Sequence, residues 1–339
     1  MIWTDIRNLQ IEGQGWTDMK SPFDRLPASA EGVVRDVVWD LSRHSAGICV
    51  KFRTEAPTIW ARWTLTSDRL AMSHMPATAC SGVDLYIDTP DGSRWAGVGR
   101  PETTPDVEAV LVKDMEDGEK PCTVYLPLYN GVTSVEIGVP EGCRMEAMER
   151  DSDRRTIVFY GTSITHGAAA SRAGTNHVAR VGRDLDCETI NLGFSGNGKM
   201  ELEVATFLAQ LDPHLFVVDC LPNMVADEIQ GRASHLVRTI RDARPGTPIL
   251  LVEDRTYGDA QFVMSRRRRN ENSREAFKKV YGQLQSDGLE GIYYMEGANL
   301  LGEDDTVDGS HPTDLGFRRQ ADRFVERIRE IQAQVSNVR

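Results

Sequence analysis

Asp308-Gly309-Ser310-His311-Pro312 sets a carboxylate three residues before a histidine, and a helical tail follows from Asp314. An imidazole that can take a proton and a carboxylate that can orient it are two parts of a nucleophile-activating triad. The third part is offered upstream by Tyr160-Gly161-Thr162-Ser163-Ile164-Thr165. A serine hydroxyl is a poor nucleophile until an imidazole removes its proton, so Ser163, His311 and Asp308 together imply acyl chemistry through a serine. An isolated Gly-x-Ser is more often a turn or a helix cap, and the weight lies on the combination. No Gly-Lys-Ser/Thr follows Gly161, which disfavours a phosphate-cradling loop.

Acyl chemistry also needs donors for a developing oxyanion. Asn191-Leu192-Gly193-Phe194-Ser195-Gly196-Asn197-Gly198 supplies glycines whose backbone N–H groups can approach a ligand closely, and Gly196 is the candidate there. Leu221-Pro222-Asn223-Met224 offers the Asn223 side-chain amide, although asparagine is also an ordinary turn residue. His166 and His177 lie near the serine run, His214 follows a proline, and His44, His74 and His235 have no supporting motif. His166, Arg172, Arg255 and Tyr257 are candidates for contacting substrate, with ordinary surface roles as the alternative. No His/Cys/Asp cluster has metal-ligand spacing, so no metal and no cofactor are expected.

These groups need a scaffold that gathers them. After Arg155 short apolar runs at 156–160, 188–192, 215–219, 248–253 and 291–295 alternate with helix-like stretches near 176–185, 199–210, 227–241, 273–286 and 314–334. Strands alternating with helices imply a five-stranded parallel sheet covered on both faces, a flavodoxin-like three-layer α/β/α sandwich. In such sheets ligands bind beyond the carboxyl ends of the strands, where Ser163, Gly196 and Asn223 fall. Residues 1–150 have a different rhythm: Ile59-Trp60-Ala61-Arg62-Trp63-Thr64-Leu65 and Val132 to Val139 alternate apolar and polar residues, with turns such as Pro90-Asp91-Gly92 between strands. That pattern predicts an antiparallel β-sandwich over 1–150, before an α/β domain over 151–339. Trp60 and Trp63 are three apart in one strand, so they face opposite sides.

The chain of 339 residues carries 39 basic and 51 acidic side chains, a net charge of −12 that disfavours nucleic acid as a partner. The one basic run, Arg266 to Arg269, reads as a solvated loop or helix start, with an anion-recognising rim as the alternative. The six cysteines form no C-x-x-C pair and sit largely in apolar runs, as buried thiols do. No apolar run approaches the ~20 residues needed to cross a bilayer, and no signal peptide is visible. The default location is therefore cytoplasmic, with no membrane partner.

Gly161-Thr162-Ser163, Gly196, Asn223 and Asp308-x-x-His311 resemble the four blocks of the SGNH (GDSL-type) hydrolase superfamily. The resemblance implies Ser163 as nucleophile, His311 as general base and acid, and Asp308 as the orienting carboxylate. It also implies an oxyanion hole from the N–H groups of Ser163 and Gly196 and the Asn223 side chain. Gly-Thr-Ser-Ile stands where that family has Gly-Asp-Ser-Leu, and Leu-Pro-Asn-Met where it has Gly-x-Asn-Asp, with no catalytic atom removed. Gly82-Val83-Asp84-Leu85-Tyr86 resembles the Gly-x-Asp-Leu-Tyr signature of the N-terminal β-sandwich in one branch of the superfamily. That branch implies hydrolysis of a short acyl ester, acetyl on a saccharide foremost, with a small-molecule or oligosaccharide ester as the substrate. Acyl transfer to a small alcohol or amine is the second expectation and non-catalytic glycan binding the third.

Overall fold

The computed structural model describes residues 1–149, 151 and 153–338. Of the residues around the domain boundary expected between 150 and 151, residues 150 and 152 lie outside the described residues.

The N-terminal region is a β-sandwich. Its strands are β1 (Ile2–Asp5), β2 (Gln10–Glu12), β3 (Cys49–Thr54), β4 (Ile59–Leu65), β5 (Asp84–Thr89), β6 (Gly92–Val98), β7 (Asp106–Val112), β8 (Lys120–Tyr125), β9 (Val132–Val139) and β10 (Met145–Ala147). One antiparallel sheet runs β1-β9-β4-β7, and the other runs β10-β3-β8-β5-β6 with β2 added to β3. Alternation along each strand turns one face inward, and Ile6, Phe52, Trp63, Leu85, Val124 and Ile137 meet in a single core. Trp63 is buried and donates its indole N–H to the Ser81 carbonyl at 2.9 Å, while Trp60, on the opposite face of β4, is half-buried. Two short helices interrupt the strands, α1 (Asp36–Ser42) and α2 (Ala77–Cys80).

The second region is the expected parallel sheet, in the order β12-β11-β13-β14-β15. These strands are β11 (Thr156–Gly161), β12 (Glu188–Gly193), β13 (Leu215–Asp219), β14 (Ile249–Val252) and β15 (Ile292–Met295). Both faces are covered, so the strands are almost continuously apolar, as Leu215 to Val218 and Ile249 to Val252 illustrate. The connecting helices are α3 (Ser163–His166), α4 (His177–Leu185), α5 (Leu202–Leu208), α6 (Ala226–Ala243), α7 (Met264–Ser286) and α8 (Asp314–Val338). Helix α7 starts earlier than the sequence pattern suggested and takes in the whole arginine run. Its first turns place Arg267 and Arg268 outward and leave Arg266 and Arg269 half-buried, so period 3.6 divides the run between two faces.

The chain forms two compact units, one of Met1–Ala28, Ser42–Arg154 and Ala169–Asn191, the other of Ser29–Leu41, Arg155–Ala168 and the chain from Leu192 onward. Asp84 and Tyr86 are among the residues that tie the third segment into the first unit. Asp84 is fully buried and accepts from Gly174 N–H at 2.9 Å, Trp95 Nε1 at 3.0 Å and Arg172 Nη1 at 3.1 Å. The Arg172 guanidinium lies 4.6 Å from the Trp95 ring centroid, and that of Arg183 lies 4.0 Å from the Tyr86 centroid. A buried carboxylate must be paired and hydrogen-bonded, and here the partners come from residues 172–174.

None of the six cysteines is in a disulfide, and five of them are buried. Among the described residues no helix is long and apolar enough to cross a membrane.

Candidate active site

Strand β11 ends at Gly161, and Thr162 turns the chain into α3. The Thr162 side chain caps this helix by accepting from Ile164 N–H at 3.3 Å. Ser163 is therefore the first helical residue, and its N–H is one of the first-turn amides that the i→i−4 ladder does not use. Thr162, Thr165 and His166 are fully buried and Ser163 is only 8% exposed.

The histidine arrives from the other end of the unit. Val307 N–H donates to His311 O at 2.9 Å and Thr313 N–H to Asp305 O at 2.7 Å, closing a tight loop before α8. Within it Asp308 Oδ1 accepts from the N–H groups of Ser310 at 3.0 Å and His311 at 2.8 Å, while Oδ2 lies 2.7 Å from His311 Nδ1. A carboxylate can only accept, so Nδ1 carries the proton and Nε2 presents its lone pair. Nε2 lies 2.9 Å from Ser163 Oγ. Partial burial works to raise the Asp308 carboxyl, but the His311 N–H, the His311 ring and the Ser310 N–H outweigh it and hold the group down at about 2.

Gly196 follows β12 in the left-handed region, at φ 71°, where glycine carries no steric cost. The same turn presses against the serine loop: Phe194 N–H donates to Gly161 O at 2.9 Å, and a Cβ on Gly198 would sit 2.0 Å from that oxygen. Asn223 ends a short 3₁₀ turn after β13. The amide orientation that satisfies both of its ends has the carbonyl oxygen accepting from Asn197 N–H at 3.0 Å and Gly198 N–H at 3.2 Å.

The candidate substrate contacts fare differently. His166 is fully buried beneath the serine turn. Arg172 belongs to the first unit and is engaged with Asp84 and Trp95. Arg255, only 2% exposed, is committed at both ends of its guanidinium. Its Nη1 and Nη2 grip the Asp219 carboxylate, Nη2 at 2.7 Å, and its Nε donates to Gln320 Oε1 at 2.7 Å. Tyr257 is half-buried, with its hydroxyl accepting from Arg269 Nε at 3.1 Å.

Sequence reasoning missed what supports the serine turn. Asp219 is fully buried, and Thr165 Oγ1 donates to its Oδ2 at 3.3 Å, so the Asp219–Arg255 pair sits directly under α3. Burial pushes the Asp219 carboxyl up and the Arg255 guanidinium opposes that shift. The available signal was a carboxylate closing the apolar run Leu215 to Val218, because a buried charge requires a partner. Among the described residues no group of three or more His, Cys, Asp or Glu side chains converges as a metal site would.

Comparison with known proteins places this geometry. The model of the GDSL-like lipase/acylhydrolase family matches residues 154–329, and the model for the N-terminus of SGNH-hydrolase-type esterases matches residues 1–145. A protein from Bacteroides ovatus ATCC 8483 described as a GDSL-like lipase is 34% identical, with 98% of each chain covered and a TM-score of 0.93. A salicylyl-acyltransferase from a tetracycline biosynthetic pathway is 17% identical over 96% of this chain and 95% of its own, with a TM-score of 0.77. An acetyl xylan esterase from the rumen bacterium Butyrivibrio proteoclasticus is 12% identical over 98% of each chain, with a TM-score of 0.63. Comparison with curated protein sequences finds no match. By the family-model match over residues 154–329 and by its likeness to the Bacteroides protein along nearly its whole length, the chain belongs to the GDSL-like lipase/acylhydrolase family of SGNH hydrolases.

Proposed function

We propose that the chain is a serine esterase that hydrolyses short acyl esters, acetyl groups on a saccharide foremost, through an acyl-serine intermediate. The observation that carries this reading is the relay from Ser163 Oγ to His311 Nε2 at 2.9 Å and from His311 Nδ1 to Asp308 Oδ2 at 2.7 Å. His311 Nε2 takes the Ser163 proton as Oγ bonds to the ester carbonyl carbon. The resulting oxyanion is held by the N–H groups of Ser163 and Gly196 and the NH₂ of Asn223; losing one such donor costs roughly 10²–10³ in rate. The tetrahedral species collapses, the C–O bond to the alcohol breaks, and His311 returns its proton to the departing oxygen. Water, deprotonated by His311 in turn, releases the acid. Asp308 stabilises the imidazolium at both protonated stages. Fold likeness to an acetyl xylan esterase supports the acetyl-saccharide substrate.

A second reading replaces water by an alcohol or amine acceptor. It is favoured by the salicylyl-acyltransferase, which superposes at a TM-score of 0.77 against 0.63 for the acetyl xylan esterase. Hydrolysis of p-nitrophenyl acetate, longer p-nitrophenyl esters and acetylated oligosaccharides, by wild type and Ser163→Ala, separates the readings. Highest turnover on the acetylated sugar, abolished in the variant, supports the esterase. A burst on the activated ester with slow turnover, accelerated by an added acceptor, moves the function to acyl transfer. Equal rates in the two proteins overturn Ser163 as nucleophile.

A further inference from the structure

Helix α7 opens with two arginines that reach, one turn apart, toward different parts of the site. Arg266 Nη1 donates to Asp259 Oδ1 at 2.9 Å and to the Asp308 carbonyl at 3.3 Å. Arg269 Nη2 donates to the carbonyls of Pro222 at 2.9 Å and Met224 at 3.1 Å. Those two carbonyls flank Asn223. A single NH₂ group that bridges the carbonyls of Pro222 and Met224 pins the peptide plane entering Asn223 and the one leaving Met224, which restricts how the Asn223-Met224 segment, and with it the Asn223 Cα–Cβ bond, can turn. The main chain here needs such a fixture, since a 3₁₀ turn of three residues has poor hydrogen-bond geometry of its own. The amide is then held from both sides, its main chain by Arg269 and its carbonyl oxygen by Asn197 and Gly198 N–H.

We propose that Arg269 is the positioning residue for the Asn223 amide, holding it in the orientation that receives the oxyanion. This rests on the reading of Ser163 as nucleophile and Asn223 as oxyanion donor. An oxyanion donor works because it is aimed before the charge develops, and a misplacement of about 1 Å can cost on the order of 10²-fold in rate. Arginine is required rather than lysine. Its planar fork lets Nε engage the Tyr257 hydroxyl at 3.1 Å while Nη2 bridges the two carbonyls, whereas an ammonium is a point donor on a flexible stem.

The test is a double-mutant cycle between Arg269→Met and Asn223→Ala, read as the second-order rate at which a fluorophosphonate labels Ser163. This probe reports the serine and its oxyanion donors whatever the natural substrate. Arg269→Met alone should slow labelling by about tenfold or more, and Arg269→Lys should recover little of it. In the Asn223→Ala background Arg269→Met should cost less than about twofold, because the amide it aims is gone. The acid limb of the pH profile should not move, since Arg269 touches neither His311 nor Asp308. Should Arg269→Met fail to fold, Tyr257→Phe removes only the hydroxyl that seats Nε, and its loss of about two- to fivefold should likewise vanish with Asn223. Equal losses in both backgrounds, or no loss in either, overturn the proposal. Labelling that survives Ser163→Ala, or that Asn223→Ala leaves unchanged, would instead sink the underlying reading of the site, and this proposal with it.

Discussion

Ser163 sits on a turn whose residues are all buried, whereas Asp308 keeps 43% of its side chain exposed and His311 keeps 24%. The serine turn depends on groups far away in sequence: Thr165 leans on Asp219, which is gripped by Arg255, which is tied by Gln320 to α8. The histidine loop depends mainly on itself, since Asp308 accepts from residues two and three positions on and orients the ring within the same loop. One half of the proposed catalytic pair is thus positioned by the tertiary interior and the other by local chain geometry. The difference teaches where each is fragile. Damage to the buried groups beneath the serine turn should be felt as lost stability, and damage to the histidine arm as lost rate with the fold intact.

The sharpest break is Ser163→Ala, which should lower esterase kcat by roughly 10⁴–10⁶ while leaving the denaturation midpoint nearly unchanged. Asp308→Asn comes next, with a loss of roughly 10²–10⁴ in kcat, because the ring loses the carboxylate that sets its tautomer and stabilises its charge. A urea titration of this variant should show a change of less than about 1 kcal/mol, as expected for an exposed pair. Arg255→Met reverses the pattern. It strands the Asp219 carboxylate in the interior and should cost about 3–5 kcal/mol of stability, part of which a second change, Asp219→Leu, should return. Comparable stability losses for Asp308→Asn and Arg255→Met would erase the contrast between the two arms.

Acidity gives two finer tests. Asp308 is held at about 2, below its unfolded value, so the stability it contributes is present above the ordinary carboxylate range and is lost as pH falls toward 2. Asp308 therefore stays ionised down to about pH 2, so the acid-side loss of activity should reflect the general base alone, with log kcat/KM falling at a slope of one. A slope of two would mean that both groups titrate together. Asp254, beside Arg255 on the buried arm, behaves oppositely: burial raises it to about 6, against which Arg255, Arg269 and Arg274 act. Its folded form holds a proton more tightly than its unfolded form, so stability declines as pH rises through the window between the unfolded value and about 6. Asp254→Asn should flatten that decline and raise stability near pH 8 by about 1–3 kcal/mol, measured by urea titration at several pH values.

Much of this molecule was settled by short-range pattern. Period-two alternation in residues 1–149 and apolar runs separated by helical stretches after Arg155 are local consequences of strand pleat and helix pitch, and both regions folded as that pattern required. Asp308 and His311 were legible for the same reason, because their contact spans three residues of one loop. What only the tertiary structure decided was the duty of each arginine. Arg172, Arg255, Arg266 and Arg269 look alike in sequence, yet one grips Asp84, one grips Asp219, one touches the Asp308 loop and one brackets Asn223. A long side chain on a helix or loop can reach several Å in many directions, and which buried carboxylate or carbonyl it meets is fixed only when distant strands close into a sheet. Local periodicity determines the face a residue takes, and long-range packing determines the partner waiting there.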